Sequence, residues 1–176
     1  MRLGVVIAST REGRFGPTVA QWFAEEVERV GAFDLDVIDL AQIEVPAQPF
    51  ASHDAAVDLR ARVAAADAFV IVTPEYNHSF PGTLKNAIDL AREEWFAKPI
   101  AFVSYGGMAG GLRAVEQAWD AGVRRARDRT SEGRRPDVRA DCGPNIRPPL
   151  ADRAGYTYLI DQVFRPAFCV RAVADG

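Results

Sequence analysis

The densest group of chemically active side chains lies in residues 73–86, which read TPEYNHSFPGTLKN. Pro74 and Pro81 restrict the backbone at the two ends of this stretch. A bare connection between a strand and a helix needs only about two to six residues. We therefore interpret the stretch as a rigid ligand-binding loop, with a well-capped turn as the alternative. Its polar and aromatic side chains are Glu75, Tyr76, Asn77, His78 and Phe80.

Residues 9–18, STREGRFGPT, combine hydroxyl groups with guanidinium groups just before a predicted helix. Gly13 and Gly16 lack the first glycine of the dinucleotide-binding pattern G-x-G-x-x-G, and the Gly-Lys-Ser/Thr ending of a Walker loop is absent. Hydroxyl donors, a cation and a helix N-terminus together suit a terminal phosphate monoester, which carries nearly two negative charges. A capped helix with solvated arginines is the alternative. The candidate donors are Ser9, Thr10, Arg11 and Thr18.

Residues 104–111, SYGGMAGG, contain two glycine pairs. Paired glycines allow positive φ angles and let a flat ligand approach backbone amides closely. Glycine-rich connections are common, so this stretch carries weight only beside the other two. A phosphate site, a stiff aromatic loop and a loop with accessible amides together indicate a site for a phosphorylated planar heterocycle. Flavin mononucleotide (FMN) fits this description better than a dinucleotide.

Short apolar runs alternate with helical periodicities along the chain. Pro17 suits the first turn of a helix that Gly31 ends, and Thr83 is predicted to be the N-cap of the helix after the central loop. Four strand–helix pairs predict a doubly wound parallel sheet in a three-layer α/β/α architecture. All three stretches then leave carboxyl ends of strands, where such sheets bind ligands. The predicted strands are residues 3–7, 33–40, 68–72 and 99–103, and the predicted helices are residues 17–30, 55–66 and 83–96 and a helix that begins at 112.

The composition is that of a globular protein, with 48% hydrophobic and 26% charged residues among 176. We expect one domain over residues 1–176, best supported over residues 1–118. A net charge of −3 argues against a nucleic-acid partner. Because no signal peptide and no long apolar run are visible, we expect no membrane association and a cytoplasmic location. Cys142 and Cys169 are too few for a disulfide framework, and neither has a neighbour at metal-ligand spacing, so no metal site is expected.

Residues 1 to about 118 resemble the NADPH-dependent FMN reductase family, which has a flavodoxin-like fold and includes quinone, azo-dye and chromate reductases. The first stretch is similar to the family's phosphate loop, Gly-Ser-x-Arg followed by a hydroxyl residue, with Ala8 in the glycine position. TPEYNHSFPGTLKNAID resembles the family's flavin loop over its whole length. YGGMAGG resembles its second ring-binding loop.

The resemblance implies a set of cofactor-binding residues. The phosphate would lie on the first loop, the ring and ribityl chain beside the second, and the pyrimidine edge of the ring near the amides of the third. Similar proteins are homodimers or tetramers. The implied set is Ser9, Thr10, Arg11, Arg14, Phe15, Gly16, Thr18, Pro74, Glu75, Tyr76, Asn77, Ser104, Gly106 and Gly107.

The resemblance also implies the reaction. An NAD(P)H-dependent oxidoreductase of this kind passes hydride from NADPH or NADH to bound FMN and on to a quinone, a nitro or azo compound, a metal oxyanion or free flavin. No protein nucleophile or catalytic acid is needed, and Tyr76 is expected to shape the nicotinamide pocket. The alternative is a flavodoxin-like FMN-binding electron-transfer module. His53 and His78 are expected to have no catalytic or metal role.

The C-terminal third is atypical for this fold. Residues 124–153 hold nine arginines, with Val138, Ile146 and Leu150 as the large aliphatic residues. Such a segment buries too little apolar surface to offset its ordering entropy. We therefore expect it to be irregular or poorly ordered, and the fifth strand to be missing or irregular. A lineage-specific basic tail or an altered reading frame, which would impair activity, could account for it.

Overall fold

The structure is a computed structural model and describes residues 1–46, 54–96, 98–107, 109–123 and 157–161. Strands and helices alternate up to the fourth helix, as the sequence predicts. After that helix come a short π-helical turn and a fifth strand. In chain order the elements are β1 (Arg2–Ile7), α1 (Gly16–Val30), β2 (Asp34–Asp39), α2 (Asp54–Ala65), β3 (Ala68–Pro74), α3 (Gly82–Leu90), β4 (Ile100–Gly106), α4 (Leu112–Ala118), the π-helical turn (Trp119–Val123) and β5 (Thr157–Asp161).

The five strands form one sheet in the order β2-β1-β3-β4-β5. The first four are parallel: Val5 of β1 pairs with Val37 of β2 on one side and with Val70 of β3 on the other. β3 is buried along its whole length, which is typical of a parallel strand covered on both faces. This is the flavodoxin-like, doubly wound α/β fold that the sequence predicts.

Two apolar clusters cover the two faces of the sheet. Alternate residues of a strand point to opposite faces, so Val70 and Ile71 belong to different clusters. One cluster joins Val70 to Val19 of α1, and the other joins Ile71 to Leu59 of α2 and Leu84 of α3. Helices therefore pack on both sides of the sheet, which confirms the three-layer architecture. No helix in the described ranges is both long and apolar enough to cross a membrane.

Helix α3 is shorter than predicted. It ends at Leu90 rather than near residue 96, because Ala91 leaves the helical conformation with φ −102° and ψ 66°. Turns follow, and they let Trp95 reach the core, where its ring lies 4.5 Å from that of Phe69. The predicted N-cap is also wrong: Pro81 occupies that position, and Thr83 lies inside the first turn.

Two strands extend further than predicted, to Pro74 in β3 and Gly106 in β4. The two ends pair with each other, Thr73 with Ser104 and Pro74 with Tyr105. Ser104 and Gly106 therefore belong to a strand and not to the loop in which the sequence analysis placed them. The extra pairs carry the strand ends to the edge where the predicted ligand loops begin.

A fifth strand is present, so the first half of the expectation, that it would be missing, is wrong; the second half, that it would be irregular, agrees with its antiparallel direction. β5 pairs with β4 in antiparallel register, with Val103 opposite Ile160, and its direction departs from that of the other strands. An apolar β4 left at an open edge would expose unpaired backbone groups, and β5 satisfies them. The predicted irregular segment, residues 124–153, lies outside the described residues.

Candidate functional site

The loops predicted to bind a ligand meet at one edge of the sheet. They leave β1, β3 and β4, which are adjacent and parallel. Thr10 Oγ1 of the first loop lies 3.3 Å from Thr83 Oγ1 at the start of α3. Arg11 of the same loop holds its guanidinium carbon 5.7 Å from the ring centre of Tyr76, within cation–π range. The first two loops therefore lie side by side at the edge where the sequence analysis predicts a shared crevice.

Ser9 follows β1 and is fully buried. Its Oγ interacts with the Tyr105 hydroxyl, but it makes no hydrogen bond of good geometry within the described ranges. A buried hydroxyl whose hydrogen bonding is left incomplete costs up to about 1–3 kcal/mol. A Cβ built on Gly16 would overlap Ser9 Oγ and lie 3.1 Å from the Tyr105 hydroxyl. The first residue of α1 must therefore be small for Ser9 to keep its position. A buried donor at a helix N-terminus without a side-chain cap is the arrangement that an anion would complete.

Arg14, which the resemblance implies to line the phosphate loop, makes an internal ion pair. Its guanidinium donates to both carboxylate oxygens of Asp39, at 2.5 and 2.6 Å, and to the Ser9 carbonyl at 2.8 Å. Burial alone would raise the pKa of Asp39, but the Arg14 hydrogen bonds, the Ala41 N–H and the Arg14 charge outweigh burial and lower it. Arg14 therefore ties the first loop to the end of β2, with its charge already compensated.

An aromatic pair supports the first loop. The rings of Phe15 and Tyr105 meet edge to face, with centres 5.9 Å apart and an interplanar angle of 82°, a favourable geometry for aromatic side chains. Burial raises the pKa of Tyr105 to about 12, so its hydroxyl stays protonated at neutral pH. Phe15, expected to line the ligand loop, also packs against the strand below it.

The second loop closes in a tight hairpin turn. Tyr76 and Ser79 exchange backbone hydrogen bonds of 2.8 and 2.9 Å. Asn77 and His78 between them have φ values of 48° and 65°, as in a type I′ turn. Residues other than glycine pay about 1–2 kcal/mol for this left-handed conformation, and asparagine tolerates it better than histidine does. The rigid loop predicted from Pro74 and Pro81 is thus tighter than its sequence suggests.

Two side chains of α4 hold the second loop in place. Arg113 donates to Glu75 from its guanidinium at 2.8 Å and from its backbone N–H at 3.3 Å. Gln117, one helical turn later, donates from Nε2 to the His78 carbonyl at 2.9 Å and accepts from Ser79 Oγ at 2.6 Å. The carboxylate of Glu75, implied to border the ligand, is thereby paired with α4.

The third loop folds back over the end of β4. Ser104 Oγ is buried and donates to the Gly110 carbonyl at 3.0 Å. Gly111 has φ +92°, and a Cβ there would lie 2.6 Å from Ser104 Cβ. Gly107, by contrast, is exposed and would meet nothing within 4 Å. Ser104 therefore shapes the loop, while Gly107 lies on the side that a ligand could reach.

The predicted site residues thus divide into two groups. Thr18 in the first turn of α1 and Asn77 at the hairpin tip are exposed and stay candidates for ligand contact, as do Ser9, Thr10, Arg11, Pro74, Tyr76 and Gly107. The other group makes internal contacts that shape the loops: Arg14, Phe15, Gly16, Glu75, Ser104 and Gly106. Within the described ranges, no cluster of His, Cys, Asp and Glu could hold a metal ion.

Sequence reasoning missed four residues that build the site. Asp39 ends β2 and Tyr105 lies one residue before the end of β4, both beside the first loop. Arg113 and Gln117 contact the second loop. The last two are polar residues four apart just after a glycine-rich loop, and such spacing places them on one helix face. That pattern was a usable signal. Nothing in the sequence paired Asp39 with Arg14, which lies 25 positions away.

The strand order and the loop positions define a class of protein. The order reverses between β1 and β3, and in flavodoxin-like sheets the crevice at that switch point binds FMN. The sequence pattern of the NADPH-dependent FMN reductase family matches residues 1–125. The chain therefore belongs to the NADPH-dependent FMN reductase family.

Individual relatives agree with this assignment. The chain is 36% identical to the NAD(P)H-dependent FMN reductase of Schizosaccharomyces pombe, over 70% of this chain and 66% of that protein. It is 35% identical to a Saccharomyces cerevisiae protein of the same description, over 62% and 68% of the two chains. About a third of each yeast protein thus lies outside the match. The flavoenzyme NAD(P)H:(acceptor) oxidoreductase of Paracoccus denitrificans shares the fold, with a TM-score of 0.57, 24% identity and coverage of 69% and 72%.

Proposed function

We propose that this protein is an FMN-dependent NAD(P)H oxidoreductase. The observation that carries the proposal is the first loop. There a fully buried Ser9 hydroxyl lies at the N-terminal end of α1, beside the Tyr105 hydroxyl and without a hydrogen bond of good geometry in the described ranges. Arg11 stands in the same loop and faces Tyr76 of the second loop. Family membership supplies the chemical identity of the ligand that these groups suit.

The residues present fit FMN in two respects. A phosphate monoester would give Ser9 Oγ an acceptor for its proton, and Thr10, Arg11 and Thr18 would add hydroxyl and guanidinium donors. A planar ring would lie between the hairpin turn at Tyr76 and the open backbone at Gly107. Because a Cβ at residue 107 would meet nothing within 4 Å, the backbone there leaves space for a ring.

The protein's part in the reaction is binding, orientation and electrostatics. FMN, when bound, supplies the hydride-accepting chemistry between NAD(P)H and an acceptor such as a quinone, a nitro or azo compound, a metal oxyanion or free flavin. The amide of Gly107 would stabilise negative charge that develops near it. Tyr76 would form a wall of the nicotinamide pocket. No protein acid is assigned, because the hydride chemistry that FMN supplies needs none.

Arginine substitutions with two flavins test the proposal. Arg11→Ala should weaken binding of FMN about tenfold to a hundredfold, because a charge-assisted hydrogen bond of about 1.5–3 kcal/mol is lost. Riboflavin, which has no phosphate, should lose far less. Arg29→Ala, which removes an exposed arginine paired with Glu26 at the other end of α1, is the matched control. Equal losses of FMN and riboflavin would refute the phosphate assignment.

Oxidation of NADPH or NADH by the purified protein with FMN tests the activity itself. Rapid oxidation in the presence of a small acceptor supports an oxidoreductase. FMN binding without oxidation of either nucleotide would instead support an electron-transfer module. Measurement of both nucleotides in parallel determines which one the protein prefers.

A further inference from the structure

The hairpin turn of the second loop adopts a conformation that its own residues do not favour. Asn77 and His78 both have positive φ, and neither is the glycine that such turns prefer. The two backbone hydrogen bonds between Tyr76 and Ser79 close the turn, but a two-stranded hairpin of this size is not stable alone in water. Contacts from outside the loop must therefore hold it.

Gln117 makes those contacts at the tip of the turn. Its Nε2 donates to the carbonyl of His78 and its Oε1 accepts from Ser79 Oγ, at 2.9 and 2.6 Å. The two bonds have opposite polarity, so a side-chain amide can make both at once. A carboxylate can accept from Ser79 but cannot donate to His78. The structure thus uses the chemistry of glutamine and not merely its length.

Arg113 makes a second contact at the start of the same loop. It lies one turn before Gln117 on α4 and binds the carboxylate of Glu75, whose side chain is 11% exposed. Glu75 in turn donates its backbone N–H to the Tyr105 carbonyl at 3.0 Å. A Cβ on Gly106 would lie 3.2 Å from Glu75 Cβ. Helix α4, which begins directly after the third loop, therefore joins the second and third loops.

We infer that Gln117, with Arg113 as its second anchor, is a positioning residue for the wall of the site that carries Tyr76. It acts through the turn and not by contact with a ligand. The inference rests on the proposed function for the identity of that ligand. Its structural half, that the amide of Gln117 keeps the turn closed, holds with or without FMN and can be tested in the free protein.

The test compares three variants of the full chain. Gln117→Glu keeps the acceptor and removes the donor, Gln117→Leu removes both, and Glu116→Gln changes an exposed neighbour on the same helix. Hydrogen exchange is measured at the amides of Tyr76 and Ser79, which close the turn. At pH 8 we expect exchange about tenfold faster in Gln117→Glu than in Glu116→Gln, the loss that one hydrogen bond of about 1.4 kcal/mol produces. Gln117→Leu, which loses both hydrogen bonds, should exchange at least as fast as Gln117→Glu.

Lowering the pH should restore the closed turn in Gln117→Glu, which would not happen if residue 117 only filled space. Near pH 3.5, below the ordinary glutamate pKa of about 4.3, most of the carboxyl at position 117 is protonated and regains a donor. Exchange at Tyr76 and Ser79 in Gln117→Glu should then approach that of Glu116→Gln at the same pH. Gln117→Leu should not recover. The unmodified protein, which keeps Glu116, is measured at the same pH, so that the charged groups around the position are the same in the comparison: Glu75, Arg113, Glu116, Asp120, His78 and Lys85.

Flavin binding completes the test. Gln117→Leu should weaken FMN and riboflavin by the same factor, because the ring wall and not the phosphate loop is disturbed. Unchanged exchange at the turn in both Gln117 variants would overturn the inference. Failure of the unmodified protein to bind FMN would overturn the proposed function, while the exchange data would still decide the role of Gln117.

Discussion

Gly16→Ala should disturb both the fold and the site, because the added methyl group has no room. The new Cβ would overlap Ser9 Oγ and lie 2.9 Å from Ile7 Cγ2 and 3.1 Å from the Tyr105 hydroxyl. All three neighbours are buried, and overpacking of this kind costs about 1–3 kcal/mol. Loss of glycine's freedom in the unfolded chain offsets about 0.4–1 kcal/mol of that cost.

Gly82→Ala is the matched control. Gly82 is also the first residue of a helix, α3, but a Cβ there would meet nothing within 4 Å. Only the gain of about 0.4–1 kcal/mol applies to it. The difference between the two variants is therefore the overpacking cost of about 1–3 kcal/mol. The free energy of unfolding falls by about 1–3 kcal/mol per molar urea. This cost should therefore separate the urea midpoints of the two variants by roughly 1 M.

Titration of the same two variants with FMN measures the effect on the proposed site. Gly16→Ala should weaken FMN, because Ser9 must leave the position in which its hydroxyl faces the start of α1. Gly82→Ala should leave FMN affinity unchanged. Equal midpoints for the two variants would refute the steric reasoning. A displaced midpoint with unchanged FMN affinity would refute the assignment of Ser9 to the phosphate.

Two further predictions concern the second loop and the edge of the sheet. Tyr76→Leu should lower kcat/KM for NAD(P)H about two- to tenfold, the value of one aromatic contact, with little change in Tm; a large drop in Tm with unchanged kinetics would place Tyr76 in the core. The pKa of Asp36 in the folded protein is lowered, chiefly by hydrogen bonding from Arg62. The ionised carboxylate therefore stabilises the fold at pH values above the unfolded-state pKa of about 3.9. This stabilisation is lost as the pH falls through the lower pKa of the folded state. Asp36→Asn should therefore lower the free energy of unfolding by about 1.5–3 kcal/mol at pH 7 and by progressively less below pH 4, as measured by thermal unfolding. An equal loss of stability at pH 3 and pH 7 would contradict this.

The sequence predicted the sheet well because its strands are buried on both faces. Buried parallel strands are almost continuously apolar, and the run before Thr73 is unambiguous for that reason. The end of α3 was predicted poorly, since Trp95 continues the helical spacing although it reaches the core from a turn. The ends of β3 and β4 were also missed. Strand pairing between Pro74 and Tyr105 decides where they end, and the composition of each strand alone does not show it.

The loops of the candidate site were predicted from the sequence, but the internal partners of several of their side chains were not. Position follows from local sequence, because each loop leaves the carboxyl end of an identifiable strand. Role depends on partners elsewhere in the chain: Arg14 is paired with Asp39, and Glu75 with Arg113. A charged side chain at the base of a loop must find such a partner once it is removed from water. A residue type that suits a ligand therefore suits an internal ion pair equally well, and sequence alone does not separate the two.

Helix α4 shows how the loops depend on elements that touch no ligand. Asn77 and His78 hold strained, positive φ angles. Backbone strain of this kind persists only where the surrounding structure compensates for it. Here the compensation comes from Gln117, on the helix that directly follows the third loop. Movement of α4 would therefore disturb the second and third loops together. The wall of the proposed flavin site is therefore formed by two loops together with the helix that contacts one and directly follows the other.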